Sequence, residues 1–201
     1  MTKIKYVLFA IMAVSLAVSA VVFVVGDSAA TLNLTVVATP PQAAPEWPPA
    51  VPDPMANMVA LPDSPNLAES RPVTASSFTD VYVASNAVDG HLTSYWESNG
   101  FPAEFTIDLG TASTISTIAV SLNPSLLWEE RTQNFEVLTS TDGTNFTTLL
   151  PNAPHTFDPL TGNAVRLDFA PTAATHVQLI FTSNTAARTN GAQAAEIMVF
   201  E

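Results

Sequence analysis

The chain has 201 residues, contains no cysteine and carries a formal net charge of −12 at pH 7. The lack of cysteine excludes thiol catalysis and cysteine-ligated zinc or iron–sulfur centres. The charge argues against nucleic acids and anionic lipids as partners, because both require clustered basic residues, and only four scattered arginines follow residue 5.

Residues 1–26 predict a signal peptide or an N-terminal membrane anchor. Two lysines precede an uncharged run over residues 6–25, and a helix of that length spans roughly 30 Å, about one bilayer core. The length favours an uncleaved anchor, whereas small residues ending at Ala20 and at Ala30 permit cleavage. The lysines predict that the rest of the chain is extracellular, secreted or at the cell surface, and meets the membrane only through this segment.

Residues 27–65 predict a proline-rich spacer. Nine of the sixteen prolines fall between residues 40 and 65. Proline removes a backbone donor and disfavours both helix and central strand. We therefore expect a semi-rigid linker that gives the following domain reach from the membrane.

Residues 66–201 predict one all-β domain. Short runs alternate apolar and polar residues, as in 105–109, 118–122 and 177–181, and turn residues separate them. A period of two with a turn every eight to twelve residues is typical of a β-sandwich or jelly roll. No stretch of ten residues in this region has helical periodicity with caps.

Six motifs, in this order, resemble the discoidin, or coagulation-factor (F5/8) type C, family, whose fold is galactose-binding-like. They are NLAESRPVTASS (66–77), ASNAVDGHLTSYWES (84–98), FTIDLG (105–110), FEVLTSTDGTNF (135–146), HVQLIFT (176–182) and AEIMVF (195–200). The resemblance covers residues 66–201 and implies a discoidin-type jelly roll of about eight strands. The variant with YWES and WEERTQNF is similar to modules of secreted bacterial polysaccharide hydrolases, which implies carbohydrate binding.

The resemblance also implies a structural calcium site. Calcium takes six to eight oxygen ligands. Asp89 and Glu196 would supply carboxylates and Ser94 a hydroxyl, with backbone carbonyls from Asn86, His91 and Ala195. The alternative is that Asp89 begins an ordinary turn and that Glu196 is a solvated strand residue.

Trp128 and Arg131 are the strongest candidates for ligand contact. Sugar recognition needs an apolar ring against the pyranose face and planar polar groups for its hydroxyls. Both residues lie in a stretch that breaks the strand pattern. The alternatives are that Trp128 covers the end of the barrel, and that Arg131 forms an ion pair with Glu97, Glu129 or Glu130.

Further ligand candidates come from loops that the resemblance places at the same end of the fold: Tyr82, Glu97 and Asn99. The last long loop, residues 183–193, lacks the aromatic residue that such modules commonly carry, and its polar candidates are Arg188 and Asn190. Trp96 occupies the buried tryptophan position of the family, so we expect it in the core.

We expect no catalytic activity. The three histidines share no metal-ligand spacing, Glu129 and Glu130 are adjacent and would face opposite sides of a strand, and no hydrolase or phosphate-loop motif is present. The predicted function is an extracellular, non-catalytic glycan-binding module. The alternative is an adhesion or surface-assembly subunit of a filament, with a cell-surface protein as its partner.

Overall fold

The computed structural model describes residues 58–201. The predicted signal peptide or anchor and most of the predicted spacer lie outside the described residues. Residues 58–65, the end of the spacer, contain neither helix nor strand, and the backbone oxygen of Ala60 accepts a hydrogen bond from Nη1 of Arg166. Within 58–201 no helix is both long enough and apolar enough to cross a membrane.

Eight strands form the domain, which confirms the predicted all-β fold of about eight strands. Three short 3₁₀ turns accompany them, at Ala84–Val88, Leu126–Trp128 and Pro159–Thr161. The strands are β1 (Val73–Ala75), β2 (Trp96–Glu97), β3 (Ala103–Ser121), β4 (Arg131–Ser140), β5 (Thr147–Phe157), β6 (Ala164–Asn184), β7 (Gln193–Ala194) and β8 (Glu196–Phe200).

The long strands β3 and β6 run through both layers of the sandwich. They are antiparallel, with irregularities between Asp108 and Ser113 and between Ile115 and Thr117. The first part of β3 also pairs with β1, and its last part pairs with β8. The sheet, with strand order β1-β3-β6-β4-β5 and β8 beside β3, folds over at these irregularities, because bulges bend and twist strands.

The core lies between the two parts of this folded sheet. In β3, Ala103, Phe105, Ile107 and Leu109 are buried and alternate with more exposed residues, which is the period of two expected of a strand with one buried face. All five residues of β8 are buried.

Trp96 is fully buried, as the sequence predicts. Its ring packs against Phe105 and Phe181, with centroid distances of 4.9 and 5.8 Å. The indole Nε1 donates a hydrogen bond to the backbone oxygen of Ser77. That bond removes the main cost of burying a tryptophan.

Strands β2 and β7 form a separate two-stranded ribbon in which Trp96 pairs with Ala194 and Glu97 with Gln193. Successive residues of a strand point to opposite faces. Because the Trp96 side chain enters the core, that of Glu97 points away from it, beside Gln193.

Candidate functional site

Trp128 and Arg131 line one cavity of about 400 Å³, which we call the first cavity. Trp128 ends the 3₁₀ turn before β4, and Arg131 is the first residue of β4. Glu97 from the ribbon and Arg188 from the β6–β7 loop line the same cavity. The fold thus brings together four ligand candidates from three separate segments of the chain.

Three aromatic rings support one wall of the first cavity. Tyr82 stacks on Tyr95 with ring centroids 4.3 Å apart, and Tyr95 forms a T-shaped pair with Trp128, with centroids 4.7 Å apart and ring planes at 90°. Trp128 is half-buried, packs against the core and still faces the cavity, so it both covers the core and remains available to a ligand. Tyr82 lies behind Tyr95 and lines neither this cavity nor the neighbouring one.

Burial raises the pKa of Tyr95 above its usual value, and its hydrogen bond with Tyr82 adds to this shift. The Tyr95 phenol therefore stays protonated at neutral pH and keeps its capacity to donate a hydrogen bond.

Arg131 is fixed in place by neutral partners. Its guanidinium carbon lies 4.9 Å from the ring centroid of Trp128, Nη1 donates to Oε1 of Gln193 at 2.6 Å, and Nε donates to the backbone oxygen of Glu129 at 3.3 Å. Burial lowers the pKa of Arg131, with nearby Glu129 and Glu97 opposing the shift, but arginine remains charged in proteins.

The predicted alternative of an ion pair at Arg131 is wrong. Within residues 58–201, contacts between oppositely charged groups join Arg166 to Asp168, and His176 to Asp108 when the histidine is protonated. Arg131 takes part in neither. Its charge is therefore not neutralised by a contacting carboxylate.

Gln193 connects the two charged residues of the first cavity. Its side-chain oxygen accepts from Arg131, and its Nε2 donates to Oε2 of Glu97 at 2.7 Å. Its backbone N and O form two hydrogen bonds of 2.9 Å with the side chain of Gln133, which is fully buried. Because the amide of Gln133 holds the backbone, the side chain of Gln193 is restrained at both ends.

Beyond Glu97 lies a second cavity, of about 350 Å³, lined by Asn99 and Asn190. Glu97 and Arg188 line this second cavity as well as the first. The Oε1 atom of Glu97 accepts from Oγ1 of Thr189 at 2.9 Å. Six of the seven predicted ligand residues therefore line one pair of adjoining cavities, and the seventh, Tyr82, supports it from behind.

Asp89 and Glu196 meet at a separate place, although 107 positions separate them. Glu196 is only 3% exposed, and its Oε1 accepts from the backbone N of Gly90 at 2.7 Å and of His91 at 3.2 Å. Burial raises the pKa of Glu196 to about 7, and the adjacent Asp89 carboxyl contributes to the shift. The alternative of Glu196 as a solvated strand residue is wrong.

Of the other residues predicted for the calcium shell, Ser94 and His91 contact the carboxyl pair, whereas the recorded hydrogen bonds of Asn86 and Ala195 go to other residues. The hydroxyl of Ser94 lies 2.7 Å from Oδ2 of Asp89 and 3.1 Å from the backbone oxygen of His91. The amide of Asn86 donates to the backbone oxygens of Val81 and Tyr95, and the backbone N of Ala195 donates to Ser121. Across 58–201, three or more His, Cys, Asp or Glu side chains nowhere form a metal-binding cluster.

Comparison of the sequence with family models matches residues 72–198 to the F5/8 type C domain. The chain belongs to the F5/8 type C domain family. A search of curated proteins gave no significant match. The resemblance predicted from the six motifs is therefore confirmed.

Several solved structures similar to this F5/8 type C domain are named as carbohydrate-binding modules. The CBM32 of AlyQ in complex with 4,5-unsaturated mannuronic acid is 25% identical, with a TM-score of 0.53 over 65% of this chain and 94% of that chain. Chitosan-binding module 1 of a chitosanase/glucanase from Paenibacillus sp. IK-5 is 23% identical, with a TM-score of 0.55 over 69% and 100%. CpGH89CBM32-5 from Clostridium perfringens, in complex with GalNAc-β-1,3-galactose, is 24% identical, with a TM-score of 0.54 over 65% and 94%.

Sequence reasoning missed three residues that shape the site of this F5/8 type C domain: Tyr95, Thr189 and Gln193. Tyr95 precedes the core residue Trp96 in YWES, and alternation along a strand could have assigned it to the outer face. Thr189 lies in the β6–β7 loop and Gln193 begins the two-residue strand β7, which is too short to show a periodicity, and their partner Glu97 is distant in the sequence.

Proposed function

We propose that this domain is a non-catalytic module that binds carbohydrate in the first cavity. The observation that carries the proposal is the arrangement of Trp128 and Arg131, with the guanidinium 4.9 Å from the indole centroid and fixed by Gln193. A rigid aromatic ring covers the CH face of a pyranose, and neighbouring fixed polar groups hydrogen-bond its hydroxyls.

The ligands named for the similar structures support this class of ligand. They include an unsaturated mannuronic acid, chitotriose and GalNAc-β-1,3-galactose, so the fold accommodates acidic, basic and neutral sugars. In this chain, Glu97, Glu129 and Glu130 line the first cavity together with Arg131 and Arg188. The site has no excess of positive charge, and we propose a neutral saccharide rather than a phosphate-rich one.

A glycan array probed with the full-length chain tests this proposal, with sedimentation on insoluble polysaccharides as a second readout. Sedimentation is done at high salt, which screens attraction between the acidic chain and a cationic polymer such as chitosan. Retention on at least one neutral glycan supports the proposal. Absence of binding across the array and the insoluble polysaccharides contradicts it.

A second candidate function is an adhesion or surface-assembly role with a cell-surface protein as partner. Leu126 and Leu127, beside Trp128, are 67% and 90% exposed. Exposed apolar residues next to a cavity are also what a protein interface uses. This function is supported instead if no glycan on the array binds and if a cross-linkable residue in place of Leu127 forms a covalent link to a protein on intact cells.

We further propose that Asp89 and Glu196 hold one calcium ion that stabilises the fold. Two adjacent carboxyls, one of them buried, have no cationic side chain in contact within the described part of the chain. Two carboxylates with nearby hydroxyl and carbonyl oxygens suit calcium, which prefers mixed oxygen ligands. When bound, the ion would neutralise the pair and connect the Ala84–Val88 region to β8.

We propose an extracellular location, based on the hydrophobic run at residues 6–25 behind two lysines. The proline-rich segment that follows would then separate the binding domain from the membrane. Fractionation and protease protection of whole cells test this: surface digestion of the domain supports the location, and full protection contradicts it.

A further inference from the structure

The first and second cavities adjoin each other, and we call the two together the cleft. They share Glu97, Arg188 and Thr189 among their lining residues, and their volumes, about 400 and 350 Å³, are comparable. Both lie within the usual size range of small-molecule sites. A ligand in one cavity is therefore close enough to extend into the other past Glu97.

The wall between the two cavities is fixed by hydrogen bonds. Oγ1 of Thr189 donates to Glu97 and accepts from the backbone N of Gly191. Behind it, the backbone N of Ser98 donates to Ala192 at 2.9 Å, and the backbone N of Ala192 donates to Oγ of Ser98 at 2.8 Å. A cleft whose walls are already ordered loses little entropy on binding an extended ligand.

The rim of the second cavity carries polar side chains without protein partners. Asn99, Arg188 and Asn190 are exposed, and within residues 58–201 their side chains form no hydrogen bond and no ion pair. Among the described residues, no aromatic side chain lines this cavity. Its chemistry therefore suits the hydroxyls of a sugar unit and offers no ring for stacking.

We infer that the cleft binds two consecutive sugar units of a glycan chain, the first over Trp128 and the second beside Asn99, Arg188 and Asn190. This inference rests on the proposed carbohydrate-binding function. The second unit is held only by hydrogen bonds at an exposed rim, each of modest net value. We therefore expect the second unit to increase affinity about three- to tenfold.

The test compares two pairs of probes on the full-length chain by calorimetric titration: GalNAc with GalNAc-β-1,3-galactose, and glucosamine with chitotriose at high salt. The measured quantity is the affinity ratio of the oligosaccharide to the monosaccharide. The variants are Asn190→Ala and Asn99→Ala. The matched control is Asn152→Ala, an exposed asparagine that lines neither cavity.

We expect a ratio of about three to ten for at least one pair in the wild type and the control, and a ratio near one in Asn190→Ala and Asn99→Ala. Two results would overturn the two-unit cleft and leave the proposed function standing. One is equal affinity for the monosaccharide and the oligosaccharide of each bound pair. The other is an affinity ratio that neither variant changes. Absence of binding to all four probes and across the glycan array contradicts both; if the array identifies another glycan, the same affinity ratio is measured with that glycan and its monosaccharide.

Discussion

The side-chain oxygen of Gln193 accepts a hydrogen bond of 2.6 Å from Nη1 of Arg131, across 62 positions of sequence. The same amide donates to Glu97 through Nε2. One neutral side chain thus sets the position of the cation and of the carboxylate that line the first cavity. Without it, two flexible charged side chains would lose their common anchor.

Gln193→Ala is expected to weaken glycan binding about tenfold, because the loss of two hydrogen bonds to charged groups leaves Arg131 and Glu97 without a fixed geometry. Titration against the tightest glycan of the array measures the effect. Gln178→Ala is the matched control, because the side-chain amide of Gln178 donates a hydrogen bond to Thr106 and lines neither cavity. Equal affinities of Gln193→Ala and wild type would show that this amide does not position the site.

Gly191→Ala is expected to destabilise the domain by about 1–3 kcal/mol, as overpacking typically does. A Cβ atom at this position would overlap the backbone oxygen of Ser98, so the segments carrying Glu97 and Gln193 must separate. Urea denaturation measures the change, and glycan affinity should fall with it. In the control, Gly100→Ala, the added carbon meets no atom within 4 Å and only the positive φ is strained.

If the Gly191→Ala variant were as stable as the wild type, the segments around Ser98 and Gly191 would be able to move apart without a loss of stability. The cleft wall would then be less ordered than its hydrogen bonds indicate, and the entropic argument for a two-unit site would weaken.

Protonation of His155 is expected to lower the stability of the domain as the pH falls below about 6.5, the ordinary pKa of a histidine side chain. The ring stacks on the buried Phe135 at 4.1 Å, and burial lowers the pKa of His155. Between the lowered native pKa and the ordinary one, the unfolded chain binds more protons, so the free energy of unfolding rises with pH in this window.

The measurement is the difference in unfolding free energy between wild type and His155→Gln at pH 5, 6, 7 and 8. Taking the difference cancels opposing contributions such as that of Glu196. The advantage of the wild type should be complete at pH 8 and should shrink towards pH 5. A difference that does not vary with pH would refute the assignment of this dependence to His155.

Calcium is expected to raise the melting temperature of the domain at pH 8. A ligand that binds only the native state adds about 2.7 kcal/mol at a hundredfold excess over Kd, which corresponds to roughly 5–10 °C for a domain of this size. Asp89→Asn and Glu196→Gln should each abolish the response to calcium and EDTA. Glu104→Gln, at an exposed position of β3, should retain it. A wild-type melting temperature that is indifferent to both additions rules the site out.

The β-sandwich was predictable because the alternation of apolar and polar residues that defines its strands can be read within short stretches of the sequence. Alternation along residues 103–109 and 177–181 follows from one buried face, and the structure buries Phe105, Ile107, Val177 and Leu179 as that pattern requires. The ordered family motifs added the topology, which periodicity alone does not determine.

The site was predictable only in part. Trp128 and Arg131 were found because they interrupt a strand pattern with an aromatic and a planar cation. Gln193 was not, because its role depends on Arg131 and Glu97, which are 62 and 96 positions away, and a neutral amide in a two-residue strand gives no local signal. The same limit applies to the alternative of an ion pair at Arg131: the side chain that contacts its guanidinium is the distant Gln193, and the sequence offered only carboxylates as partners.

Calorimetric titration of the tightest array glycan into wild type and Trp128→Ala tests the central claim most directly. We expect a wild-type Kd on the order of 0.1–1 mM, because a small exposed site gains little beyond the entropy of association. We expect no measurable binding by a Trp128→Ala protein that circular dichroism shows to be folded. Phe78→Ala, which removes an aromatic ring that is 55% exposed and lines neither cavity, should bind as wild type does. A folded Trp128→Ala protein with undiminished affinity would contradict the account.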